Sequence, residues 1–200
     1  MNSVIIIEDH VMMRRGLAAY FAESGRWQIA GEAGNFQEAA VLIAGLASRP
    51  DMVLLDIELR DGWGLDLVQT LKQKFGKNAP PALVYSVYND YAHIKAAIRA
   101  GAAGYVGKSQ GEAELEAAMQ AILEGKFYLS PALIPGISAV SDMLLSLTKR
   151  ERQIFEMVQR RCGNQEIADR LGLNIRTIQN NLSIIYSKTG VKNRRELERL

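Results

Sequence analysis

The chain is poor in cysteine, proline and aromatic residues: of 200 residues, one is cysteine, five are proline and 7% are aromatic. The lone Cys162 excludes an internal disulfide and any multi-cysteine zinc site, which points to a reducing, cytoplasmic setting. Long apolar runs are missing too. None approaches the ~18–20 residues that cross a bilayer, so no membrane association is expected. Met1–Ile7 is too short for a signal peptide and runs straight into Glu8 and Asp9. Strong net charge is also lacking, at +2, but this is a cancellation. Residues 1–125 carry 11 Lys+Arg against 15 Asp+Glu, and residues 126–200 carry 13 against 7. An acidic module joined to a basic, nucleic-acid-binding one is the reading.

What is present is an alternation of two hydrophobic periods. Ser3–Ile7, Met52–Leu55 and Leu83–Tyr85 are short apolar runs, with weaker extended candidates at Trp27–Glu32 and Gly104–Val106. Between them, apolar residues recur at helical spacing, as in Leu65, Val68, Leu71 and Ala92, Ala96, Ala100. Residues 1–125 therefore predict an α/β domain: a doubly wound, five-stranded parallel sheet of flavodoxin-like order 2-1-3-4-5. Residues 126–146, with Pro131, Pro135 and Gly136, read as a linker with a helical stretch near Ser141–Leu147. From 147 to 200 the pattern is all-α, four short helices. A Thr148–Glu151 capping box opens the first, Gln165–Leu171 forms the second, Asn174 caps the third and the fourth begins near Asn193.

Polar groups at the carboxyl ends of parallel strands are the place to seek chemistry. Glu8 and Asp9 follow strand 1, Asp56 follows strand 3, and Ser86 and Lys108 end strands 4 and 5. One acid at a strand end is ordinarily a loop or cap residue. Five fitting residue types at four strand ends are not so easily dismissed. Three carboxylates make a hard-oxygen site suited to Mg²⁺. Asp56 is then a nucleophile candidate for phosphoryl transfer, with Lys108 offsetting phosphoryl charge and Ser86 donating to a phosphoryl oxygen. His10 and His93 are read as surface residues.

In the third helix, Ile178, Leu182 and Ile185 form a buried stripe. Arg176, Gln179, Asn180, Ser183 and Ser187 form a polar face that a short helix-turn-helix frame would present to a major groove. The amides of Gln179 and Asn180 can pair with adenine. Lys149, Arg176, Lys188, Lys192, Arg194 and Arg195 are the candidates for phosphate contacts.

With Glu8–Asp9–His10, Asp56, Ser86, Lys108 and the run Ala100–Lys108, residues 1–125 resemble a response-regulator receiver domain. Leu147–Glu151, Asn164–Ala168, Leu171, Thr177–Ile178, Lys188–Val191 and Asn193–Arg194 resemble a LuxR-type helix-turn-helix. The whole chain thus looks like a NarL/FixJ-type response regulator. The resemblance implies that Asp56 is the phosphoacceptor, that Glu8, Asp9, Asp56 and the Glu58 carbonyl hold Mg²⁺, and that Ser86 and Tyr105 form the switch pair. It further implies a histidine kinase as partner, double-stranded DNA as target, a homodimer as the active form, and Thr177 among the DNA contacts. The chain departs from the family at Leu59–Arg60–Asp61, where Met-Pro-Gly is usual, and at Trp63. It departs again at Gln179, Asn181, Ile184 and Thr189. Two rival readings are an enzyme with Asp56 as its nucleophile, such as a phosphatase with a binding module attached, and a phosphorylation-independent regulator or pure protein-interaction module. Some 125 residues of plain βα units leave little material for an enzyme's substrate pocket and lid.

Overall fold

The computed structural model describes residues 1–135 and 146–199. They form two compact units, one of residues 1–89 and 93–133, the other of residues 90–92 with the C-terminal helices. The helix expected near Ser141–Leu147 falls mainly outside the described residues.

The first unit is built from β1 (Asn2–Ile7), α1 (Val11–Ser24), β2 (Trp27–Ala33), α2 (Phe36–Gly45) and β3 (Met52–Leu55). A small hairpin, β4 (Glu58–Leu59) and β5 (Gly62–Trp63), then precedes α3 (Asp66–Phe75). After it come β6 (Ala82–Ser86), α4 (Tyr91–Ala100), β7 (Gly104–Gly107), α5 (Glu112–Leu123) and β8 (Tyr128–Leu129). The main sheet is parallel, in the order β2-β1-β3-β6-β7-β8. Its first five strands have the expected order, and β8 adds a short sixth at the edge. That strand lies in the stretch read as linker. Two residues are too few to leave a periodic signal; Tyr128 and Leu129 are held by pairing with Gly104 and Tyr105.

The four-residue strands β3 and β7 are buried throughout, as both faces are covered by helices. In β1 the side chains alternate between two cores. Val4 and Ile6 pack with Leu17, Phe21 and Leu115 under α1 and α5, whereas Ile5 and Ile7 pack with Ile43, Leu67 and Leu71 under α2 and α3. Edge strand β2 alternates buried and open positions, which is why its signal is weak.

The second unit contains α6 (Lys149–Gln159), α7 (Asn164–Leu171), α8 (Ile175–Thr189) and α9 (Arg194–Arg199). Both bonds of the Thr148–Glu151 capping box form, and Asn174 accepts from the Thr177 amide at 2.7 Å. Gly172 and Gly190 end α7 and α8 in left-handed conformation, φ 64° and 71°. Ile154, Phe155, Ile167, Ile178, Leu182, Ile185 and Leu197 share one core.

The loop after β3 closes on itself through the Gly64 amide, which donates to the Ile57 carbonyl at 2.6 Å. A Cβ on Gly64 would lie 2.0 Å from the Asp56 carbonyl oxygen, a backbone atom that cannot rotate aside. Gly64→Ala is therefore expected to cost about 1–3 kcal/mol by overpacking and to displace Asp56. Urea unfolding of the variant checks the first effect and the chemical shifts of the strand-end residues the second.

Candidate functional site

The sheet order sets β1, β3, β6 and β7 side by side, so residues far apart in sequence meet at one edge. Glu8 and Asp56 are almost wholly enclosed, 2% and 6% exposed, and Asp9 is half-buried. The Lys108 ammonium lies 2.5 Å from Asp56 Oδ2 and 2.6 Å from Glu8 Oε2. Asp56 Oδ1 accepts from the Ile57 amide at 2.7 Å. Burial pushes the Glu8 carboxyl above its usual range despite the pull of Lys108. Burial would pull Lys108 down, but its bonds to Asp56 and Glu8 outweigh this and hold it above the ordinary lysine value.

Glu8, Asp9 and Asp56 each offer an oxygen within 4.8 Å of the others. That is a donor set fit for a hard divalent cation. The cavity over them is lined also by His10, Glu58, Arg60, Tyr88 and Lys108. Ser86 is fully buried, and its hydroxyl accepts from the Tyr88 amide at 3.3 Å. The Tyr105 ring is fully enclosed, and its hydroxyl donates to the Tyr88 carbonyl. Of the six pocket residues named from sequence, Glu8, Asp9, Asp56 and Lys108 line one cavity, Ser86 ends the adjacent strand β6, and Tyr105 lies within β7.

Sequence reasoning missed Tyr88. Its hydroxyl donates to Glu58 Oε2 at 2.5 Å, and its ring stacks on His93, centroids 4.4 Å apart. The link to Tyr105 runs through a backbone carbonyl, which any residue supplies, so no side-chain type could have announced it. Asp61 was named only as a departure. It accepts from the amides of Phe36 at 2.6 Å and Gln37 at 3.0 Å, tying the β4–β5 turn to the start of α2.

In the second unit, Arg176, Gln179, Asn180, Ser183 and Lys192 are exposed, and Thr177 is half-buried. Ile184, 45% exposed, lies beside them. Two of the cations assigned to DNA are held within the protein. Lys188 donates to buried Glu151 at 2.7 Å and to the Ser146 carbonyl at 3.1 Å. Arg194 donates to Asn164 Oδ1 at 2.7 Å, to Glu198 at 3.0 Å and to the Cys162 carbonyl. Asn181 donates to the Thr177 carbonyl at 2.8 Å, and the Thr189 hydroxyl to that of Ile185 at 2.7 Å. These two of the polar departures are thereby satisfied within their own helix.

An α/β unit with an acidic, lysine-bridged pocket, followed by a helix-turn-helix unit, defines a two-module regulator: one part carries a chemical input and the other binds DNA. Comparison with known proteins makes the family specific. Residues 4–120 match the response regulator receiver domain, and residues 145–200 match the luxR family of bacterial regulatory proteins. The transcriptional regulatory protein UhpA of Escherichia coli (strain K12) is 33% identical over 200 residues, covering 100% of this chain and 97% of the relative. The DNA-binding transcriptional activator DevR/DosR of Mycobacterium tuberculosis is 31% identical over 201 residues, covering 97% and 91%. The solved structure of response regulator ChrA, of a heme-sensing two-component system, is 29% identical with TM-score 0.56, covering 98% and 94%. RcsB from Salmonella enterica serovar Typhimurium, solved on promoter rprA with a phosphomimetic, shares the fold at TM-score 0.71 and 22% identity, covering 99% and 96%. The chain belongs to the NarL/FixJ-type response regulators, transcriptional regulators with a receiver and a LuxR-type DNA-binding domain.

The Lys188 ammonium, followed by the Thr148 amide, holds the Glu151 carboxyl below its usual range. Because the folded value is depressed, this contribution to stability is present above 4.5 and is lost as pH falls through the folded value. Glu151→Ala is expected to loosen the helical unit by about 1–2 kcal/mol, the worth of a lost cap, and to flatten that acid-side loss. Amide exchange across Lys149–Gln159 and Ile175–Thr189, at neutral pH and below the glutamate range, tests both.

Proposed function

We propose that this chain is a cytoplasmic two-component transcription factor controlled by phosphorylation of Asp56. The single observation that carries the reading is the Lys108 ammonium held between Asp56 and Glu8, with Asp9 completing the cluster. A partner histidine kinase supplies the phosphoryl group. An Asp56 carboxylate oxygen attacks phosphorus, the P–N bond of the donor phosphohistidine breaks, and the imidazole leaves with the electron pair. Glu8, Asp9 and Asp56, with the Glu58 carbonyl, would hold Mg²⁺, which offsets charge on the transferred group. Lys108 moves part of its pairing from Asp56 to the new phosphoryl oxygens, and the Ser86 hydroxyl turns from the Tyr88 amide to donate to one of them.

That exchange biases a pre-existing equilibrium between inactive and active states, with the Ser86–Tyr105 pair as its internal reporter. The active form is a homodimer on two half-sites of double-stranded DNA. Arg176, Thr177, Gln179, Asn180 and Ser183 of α8 face the groove and exposed Lys192 acts at the backbone, whereas Lys188 and Arg194 are held in pairs with Glu151 and Glu198. On this reading the chain divides into a receiver over 1–125, a linker over 126–146 and a DNA-binding domain over 147–200, with β8 of the linker stretch joined to the receiver sheet. No helix among the described residues is long and apolar enough to cross a membrane.

Asp56→Asn is expected to abolish labelling by a phosphodonor while leaving the circular dichroism spectrum unchanged. Persistent labelling would remove Asp56 as the acceptor. On genomic DNA fragments, a phosphoryl mimic should strengthen binding, and log affinity should fall with log salt by roughly 0.9 per neutralised phosphate. Asn180→Ala should cost about 1–3 kcal/mol on specific DNA and leave nonspecific binding unchanged, as fluorescence anisotropy would show.

One observation favours a second reading, regulation without phosphorylation: the Tyr105 ring is already enclosed and bonded to the Tyr88 carbonyl. Wild-type regulation by Asp56→Ala would select it.

A further inference from the structure

We propose that Arg60 is a tethered competitor for the divalent cation at the acidic pocket, an inference that rests on the Mg²⁺ reading above. Arg60 occupies the turn between β4 and β5, where the family usually has proline. Its guanidinium donates to the Asp9 carbonyl at 2.9 Å, and its Nε lies 4.0 Å from Asp9 Oδ2. Lys108 pairs with the other two carboxylates, Glu8 and Asp56. Asp9, at the mouth, therefore meets a cation of its own before any metal arrives.

The position of Arg60 follows from how the turn is fastened. Asp61, the next residue, is bonded to the amides of Phe36 and Gln37. Gly62 sits so close to Phe36 that a Cβ there would be 2.8 Å from the ring carbon Cγ. The Gly64 amide closes the base of the loop on the Ile57 carbonyl. These contacts hold the turn against α2 and leave Arg60 within reach of Asp9. Arginine stays protonated at all physiological pH, so the competing charge is permanent.

Arg60 is 65% exposed at the side chain, and Asp9 27%. A pair so open to water is weak, and its effect on metal affinity is expected to be about two- to five-fold. It should also shrink as salt screens the guanidinium. A divalent cation seated on Asp9 displaces the Nε contact, while the bond to the Asp9 carbonyl can persist.

The test is isothermal titration calorimetry of MgCl₂ into the full chain, wild type against Arg60→Met, at low and high NaCl. Methionine keeps the aliphatic bulk and removes the charge. The proposal expects Arg60→Met to bind Mg²⁺ about two- to five-fold more tightly at low salt, with the gap narrowing at high salt. Arg60→Lys, which keeps the charge, should stay near wild type. Mg²⁺ binding by wild type with no gain in Arg60→Met, or an equal gain in Arg60→Lys, overturns the competition and leaves the metal reading standing. Absence of Mg²⁺ binding in wild type and variant alike overturns both.

Discussion

Glu8 and Asp56 are carboxylates almost wholly removed from water, and the ammonium of Lys108 that they share is the constraint on which the receiver pocket depends. Two such carboxylates without a counterion would repel each other in a medium of low polarity, and one would take up a proton. Leaving a buried charge unpaired costs about 3–5 kcal/mol, a large part of a domain's stability. The shared lysine is also tied to the neighbouring strand. Adjacent strands lie roughly 4.8 Å apart, so β7 is about twice that distance from β3, with β6 between them. Lys108, just after β7, must reach over the end of β6, and the residue there is the small, fully buried Ser86. The Lys108 amide is bonded to the Ser86 carbonyl at 2.8 Å, which fixes where the lysine leaves β7.

The helical domain contains a second carboxylate–lysine contact of similar length, Glu151 to Lys188, whose consequences differ. Glu151 closes a capping box at the start of α6 while its other interaction fastens the end of α8. Its lysine is partly open to water and also satisfies the Ser146 carbonyl. Among the described residues no third carboxylate joins them, and the pair ties two helices together. The receiver pair, in contrast, sits at a strand edge beside a third carboxylate and under an open cavity. Residue type and ion-pair distance are alike in the two places. What separates them is the company each pair keeps.

This difference explains what could be read from the sequence. The strand-end residues Glu8, Asp9, Asp56, Ser86 and Lys108 were legible because parallel strands must end on one edge, and a βα repeat identifies the strand ends. Thr148–Glu151 and Asn174 were legible because caps are local, spanning three residues. Tertiary pairing is not local. Nothing in the composition of α8 distinguishes Lys188, bonded to a helix start 37 residues away, from a cation directed at DNA. Arg194, bonded to Asn164, is the same case. The β4–β5 hairpin was hidden for another reason: its strands have two residues each, and its turn is tied to α2 through Asp61, a contact 24–25 residues away in sequence.

The near-neutral total charge conceals a division of labour that the structure makes finer than a split between halves. At the receiver pocket, four carboxylates, Glu8, Asp9, Asp56 and Glu58, line the cavity against the two cations Lys108 and Arg60, so the excess of acidic groups favours a cation. In the DNA-binding domain, the formal excess of positive charge overstates what reaches a phosphate, because Lys188 and Arg194 already engage Glu151 and Glu198. Helix α8 carries two cations, Arg176 and Lys188, and only the first is without an ion pair among the described residues. Under the proposed binding mode, attraction to the DNA backbone comes chiefly from exposed flanking residues such as Lys149, Lys192 and Arg195. Under the same proposed mode, discrimination among base pairs would fall to neutral groups on α8: the amides of Gln179 and Asn180, the Ser183 hydroxyl and the exposed Ile184, whose apolar end suits a thymine methyl. The salt-sensitive part of affinity and the sequence-sensitive part are thereby carried by different elements, so either can change through substitution without the other.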